Sequence, residues 1–206
     1  MVTLLRHPRR RALLSAAAGF ALGLGGCDRI GPASVRSFNG IDITGAEYAR
    51  RFELPDQNGA VRTLADFKGK VTLVFFGYTQ CPDVCPSTLA ELAQVKKQLG
   101  AEGAALQVVF ITVDPQRDTP ALLKAYVESF DPSFVALRGS PEQTTATAKE
   151  FKVFFAREPG KTEGYSVDHT AGSYIFDRSG RVRLFVRYGS GAPALAADLK
   201  ALLAAG

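Results

Sequence analysis

Two stretches, VTLVFFGY (71–78) and LQVVFITV (106–113), run almost without polar interruption and are rich in β-branched and aromatic residues. Such runs predict strands covered on both faces rather than half-exposed ones. Between them, STLAELAQVKKQLG (87–100) sets Leu89, Leu92, Val95 and Leu99 at helical spacing, with Gly100 as the stop signal. A second helix is predicted over DTPALLKAYVESF (118–130), opened by an Asp/Thr cap with Pro120 in its first turn. SPEQTTATAKEF (140–151) opens a third helix. SYIFD (173–177) and VRLFVRY (182–188) flank Arg178-Ser179-Gly180 and predict an antiparallel hairpin; APALAADLKALLA (192–204) then closes the chain as a helix. Ahead of the first buried run, RFELPDQNGAVRTLADFKGK (51–70) suggests a short hairpin turning at Asn58-Gly59.

The order β-α-β-α…β-β-α places a central mixed sheet between helices. This is an α/β class with thioredoxin-like element order and an N-terminal β-hairpin. A chain of 206 residues with 46% hydrophobic and 22% charged positions suits one such domain, and no low-complexity tract or repeat interrupts it.

The first residues follow a different pattern. HPRRR (7–11) is a positive stretch, ALLSAAAGFALGLGG (12–26) an apolar one built of small residues and leucine, and LGGC (24–27) ends it at Cys27. A segment so short and so rich in Gly and Ala reads as an export signal rather than a stable membrane span. The end of the segment resembles the lipobox of bacterial lipoproteins, which implies that Cys27 is lipidated and becomes the mature N-terminus. RRRALL (9–14) also resembles a twin-arginine export signal. Residues 1–26 are therefore read as a lipoprotein-type signal, 27–50 as a tether rich in Gly, Pro and Ser, and 51–206 as the exported domain.

Charge changes the picture little. The net charge is +5, but Arg6, Arg9, Arg10 and Arg11 lie in the signal, and the remainder carries 21 basic against 20 acidic residues. A basic face for nucleic acid is thereby excluded.

Cysteine usage is sparse and pointed. Three cysteines occur in the chain; with Cys27 assigned to lipid, Cys81 and Cys85 remain, four positions apart in GYTQCPDVCP (77–86). The pair falls where the first buried strand hands over to the next helix. Ligand and catalytic groups gather at that end of strands, and a helix N-terminus favours thiolate over thiol. Two structural cysteines are a poor reading at so Pro-rich a strand end. Two chemistries stay open: dithiol exchange with other proteins, or two thiolate ligands for a soft metal. Thioredoxin-type oxidoreductases have two residues between their cysteines and a proline before the strand that faces them. This chain has three residues between its cysteines, and Val167, Asp168, His169, Thr170, Ala171 and Gly172 precede SYIFD. His169 is the one histidine left once His7 departs with the signal. Two thiolates and an imidazole suit copper, and zinc accepts the same set. A peroxiredoxin-like reading, with Cys81 peroxidatic and Cys85 resolving, leaves His169 idle.

GYTQCPDVCP (77–86), TVDPQRDTP (112–120) and YSVDHTAGSYIFDRSGR (165–181) together resemble the Sco/SenC copper proteins, from about Phe52 to the C-terminal helix. The resemblance implies a thioredoxin-like, membrane-anchored factor that helps build the binuclear copper centre of cytochrome c oxidase. It implies copper, as Cu(I) or Cu(II), held by Cys81, Cys85 and His169, and a redox-active disulfide between Cys81 and Cys85. Its implied partners are the oxidase's copper-bearing subunit and another periplasmic copper chaperone. Its implied location is the periplasmic face of a bacterial cell membrane. A metallochaperone is thus favoured over an enzyme, with thiol-disulfide oxidoreduction on the same cysteines as the alternative. Gln80 departs from the family by standing where many members have histidine. Asp168 and Asp83 are read as groups supporting the ligands from behind, and Asp114, Arg117 and Asp118 as residues that fix the loop from strand to helix.

Overall fold

The computed structural model describes residues 37–159 and 164–205. The signal at 1–26, Cys27 and the first part of the expected tether lie outside the described residues.

A six-stranded sheet forms the centre, in the order β1 (Ile41–Asp42), β10 (Val182–Arg187), β9 (Gly172–Phe176), β4 (Val71–Gly77), β5 (Leu106–Thr112), β6 (Val135–Leu137). The two buried runs become β4 (Val71–Gly77) and β5 (Leu106–Thr112), parallel and in register from Val71↔Leu106 to Gly77↔Thr112. Every residue of both strands is buried, as uninterrupted apolar runs require. β6 (Val135–Leu137) extends the parallel half; β9 (Gly172–Phe176) pairs antiparallel with β4, and β10 (Val182–Arg187) with β9. The sheet is therefore mixed, as expected.

Helices α1 (Val84–Gln98), α2 (Pro120–Glu128) and α4 (Ala192–Leu203) pack on one face through Leu89, Leu92, Leu123, Val127, Leu199 and Leu202. On the other face, α3 (Pro141–Glu150) lies with the N-terminal hairpin of β2 (Glu53–Pro55) and β3 (Val61–Thr63). Caps fall where the sequence puts them. The Thr119 hydroxyl accepts the Leu122 N–H at 3.2 Å, and Ser140 and Gln143 close a reciprocal capping box. Asp118, predicted to share the first of these caps, turns inward instead.

Two elements correct the sequence reading. Residues 39–50, expected as tether, are part of the fold. Ile41–Asp42 forms β1 on the edge of β10, the buried Asp198 carboxylate accepts the backbone N–H groups of Asn39 (2.9 Å) and Gly40 (2.8 Å), and Ala49 is fully buried. Their anchoring comes from backbone pairing, single polar contacts and scattered apolar ones at Ile43, Ala46, Tyr48 and Ala49, which leave no regular periodicity to read. The second element is an antiparallel pair, β7 (Phe155–Pro159) with β8 (Tyr165–His169), in a small sheet separate from the main one. His169 ends β8, three residues before β9.

Candidate metal centre

The site is assembled at the carboxyl end of β4. Cys81 sits in the turn after that strand, its N–H donating to the Tyr78 carbonyl at 3.2 Å, and stays outside the helix. Cys85 is the second residue of α1 and is fully buried. Cys81 thus precedes the helix that holds Cys85, and Pro86 falls at the third helical position. In the first turn its missing N–H still costs nothing, because no intrahelical acceptor precedes it. Gly77 makes room for this arrangement. A Cβ there would lie 2.6 Å from Cys85 Sγ and 2.8 Å from the Phe110 ring, so no larger residue fits without displacing the sulfur. The signal was available in the sequence: a lone glycine ending an otherwise bulky strand marks a close approach.

His169 reaches the cysteines from the hairpin. Its Nε2 lies 3.5 Å from Cys85 Sγ, while Nδ1 lies 3.2 Å from the Thr170 carbonyl. A carbonyl only accepts, so that contact assigns a proton to Nδ1 and leaves Nε2 to offer its lone pair toward the sulfurs. The edges of Phe75 and Tyr78 hold the ring, with centroids 6.2 and 6.1 Å away. One ligand atom from each of Cys81, Cys85 and His169 lies within 4.8 Å of the others, and no other such group occurs among the described residues. The pair and the histidine that the sequence singled out are brought together.

The two thiols are free and differ in character. Cys81 is lowered to about 3, first by the hydrogen bond from Cys85 and then by the backbone N–H groups of Asp83 and Cys85, against the cost of burial. Cys85 is pushed up, by donating to Cys81 and by burial. At neutral pH the site is one thiolate beside one thiol. An incoming metal therefore displaces the Cys85 proton, whereas the Cys81 thiolate is ready.

The supporting carboxylates act otherwise than expected. Asp168 is exposed, and among the described residues no hydrogen bond joins it to the ring. Successive strand residues point to opposite faces, so the neighbour of an inward histidine points outward. The Thr170 carbonyl occupies the supporting position. Asp83 precedes α1, and its carboxylate accepts only the Ser87 hydroxyl at 3.3 Å; its backbone N–H is what serves Cys81. Asp118 is fully buried and ties two strand ends together, accepting from the Thr79 hydroxyl (2.6 Å), the Thr79 N–H (3.2 Å) and the Thr112 hydroxyl (2.5 Å). Burial raises its pKa above the usual carboxylate range against those bonds.

A thioredoxin-like sheet with two cysteines and a histidine converging at one strand end defines a class: dithiol proteins equipped to hold a soft metal. The SCO1/SenC family model matches residues 42–204, and the chain belongs to that family. A SCO2-like protein of Rickettsia felis is 39% identical over 132 residues, covering 63% of this chain and 64% of that protein. The mitochondrial SCO2 homolog of Bos taurus is 42% identical over 140 residues, covering 66% of this chain and 52% of its own length. The chain thus spans less than two thirds of the curated relatives it matches. Among solved structures, copper-bound ScoI of Bradyrhizobium japonicum aligns with a TM-score of 0.69 at 41% identity, covering 76% of this chain and 99% of that one.

Proposed function

We propose that this protein is a membrane-anchored periplasmic copper chaperone, carrying copper on Cys81, Cys85 and His169 for assembly of the binuclear copper centre of cytochrome c oxidase. The observation that carries the reading is the convergence of two sulfurs and one imidazole nitrogen within 4.8 Å at the mouth of an open cleft. The donor set fits the cargo. Thiolates suit Cu(I), imidazole accommodates both oxidation states, and affinity among divalent ions favours copper over zinc. The cleft, bordered by Pro82, Asp83, Val84 and Ala171, leaves Cys81 and His169 open to a partner on one side, with Cys85 buried behind them. Cargo held at an open rim is positioned for hand-over. Copper-bound ScoI, the structural relative described above, supports the choice of metal.

The alternative keeps the same cysteines and changes the chemistry. A low-pKa Cys81 beside a protonated Cys85 is also the arrangement of a dithiol that attacks disulfides. His169, facing Cys85 where an oxidoreductase of this fold would need only a thiolate, favours the copper reading.

Anchoring rests on LGGC at 24–27, the ending that resembles a lipobox. Lipid chains hold a protein at a bilayer by apolar burial. The test uses cells lacking the chain. They should lose oxidase activity, the full chain should restore it, and the Cys27→Ser form should appear in the soluble periplasmic fraction. Unchanged oxidase activity without the chain overturns the function. A Cys27→Ser protein that stays in the membrane as uncleaved precursor overturns the lipid anchor.

A further inference from the structure

The hairpin that delivers His169 has no ladder bonds to the central sheet. A two-stranded ribbon alone is marginally stable, so its distance from the cysteines must be set by contacts outside the ladder. One contact is the Tyr78 hydroxyl, which accepts the Val167 N–H at 3.3 Å. Another centres on Arg117, in the loop between β5 and α2. Its Nη1 donates to the Gln80 side-chain carbonyl at 3.1 Å, directly before Cys81, and to the Tyr165 backbone carbonyl at 2.8 Å, on the strand that ends at His169. The guanidinium also stacks 3.6 Å from the Tyr165 ring centre, and its Nε donates to the fully buried Asp114. The Tyr165 hydroxyl returns to Asp114 at 2.8 Å, closing a ring of three residues, and Arg157 of β7 lies 4.8 Å from the Tyr165 ring centre and 3.7 Å from the Asp114 carboxylate.

We propose that Arg117 is a positioning residue that sets the spacing between the Cys81 loop and the His169 strand, with Gln80 as its hold on the cysteine side. A planar fork with several donors can bond two carbonyl oxygens from different segments and stack on a ring at once; a lysine cannot. Gln80, the departure from the family pattern, thereby gains a role: its amide oxygen accepts from Arg117. The consequence is selective. Two thiolates, one in the turn after β4 and one at the start of α1, can hold Cu(I) without help from the hairpin, whereas Cu(II) depends on the imidazole and so on where β8 stands.

The inference rests on the copper reading for its metal readout, so the test begins without metal. In the metal-free Arg117→Ala protein, amide hydrogen exchange over 165–169 should quicken while β4 and β5 keep their protection. Loaded with Cu(II), the same variant should lose about 10- to 100-fold in affinity, the range for partners that orient a ligand from behind, and its thiolate-to-copper absorption should weaken. Cu(I) affinity should move far less. Arg117→Lys should behave more like alanine than like the wild type. Gln80→Ala, at an exposed position, should fold normally and fall between the two, and it decides the matter if Arg117→Ala fails to fold. Wild-type exchange over 165–169 together with wild-type Cu(II) affinity, in whichever of these variants is folded, overturns the proposal. A wild-type protein that takes no copper sinks the chaperone reading instead, and the metal-free exchange still judges Arg117.

Discussion

Replacing Cys81 with serine is expected to abolish copper retention and disulfide chemistry together, with little change in thermal stability. Cys81 is the thiolate of the site, held ionised by a donated hydrogen bond from Cys85 and by backbone N–H groups at the start of α1. A serine hydroxyl keeps the shape but stays protonated at neutral pH and offers no soft donor. Loss of an outer supporting partner alone typically costs up to about 100-fold in metal affinity, so loss of a ligand should exceed that. Cys81 is only half-buried in a turn, which is why the fold should tolerate the change. The check is equilibrium dialysis against Cu(I) beside a melting curve. Serine at position 81 with undiminished copper binding would move the site elsewhere.

His169→Ala should separate the two chemistries that Cys81→Ser removes at once. Thiol exchange needs an attacking thiolate and a leaving one, both of which remain. Cu(II) prefers nitrogen in its sphere, and His169 Nε2 is the nitrogen facing Cys85 Sγ at 3.5 Å. The variant is therefore expected to form and open its disulfide normally, to lose most stable Cu(II) binding with its thiolate-to-copper absorption, and to fail in supporting oxidase assembly. Full oxidase activity in cells whose His169→Ala protein holds no copper would leave the thiol oxidoreductase standing.

The parts of the molecule legible in its sequence are those written in short-range patterns. β4 and β5 are continuous apolar runs, α1 has its leucines at helical spacing, and Gly100 stops it in a left-handed conformation, φ +57°. The Cys81, Cys85 and His169 trio was legible because cysteine and histidine are so few. Residues acting across long distances were not. Asp114, Arg117 and Asp118 read as a local loop brace, yet their side chains reach Tyr165, Gln80 and Thr79, between 37 and 51 positions away. The β7–β8 hairpin escaped although Tyr165–His169 alternates apolar and polar positions, because that signal is only five residues long and its partner Phe155–Pro159 ends in Arg, Glu and Pro. Asp168 was misjudged for a related reason: adjacency in sequence suggests contact, whereas strand geometry turns neighbours apart.

X-ray absorption at the copper edge, on the reduced chain loaded with Cu(I) and then oxidised to Cu(II), tests the central claim most directly. The expected first shell holds two sulfurs and one imidazole nitrogen, and the nitrogen disappears in His169→Ala. A shell of sulfur alone in the wild type, or one unchanged by loss of His169, would contradict a copper centre built from Cys81, Cys85 and His169.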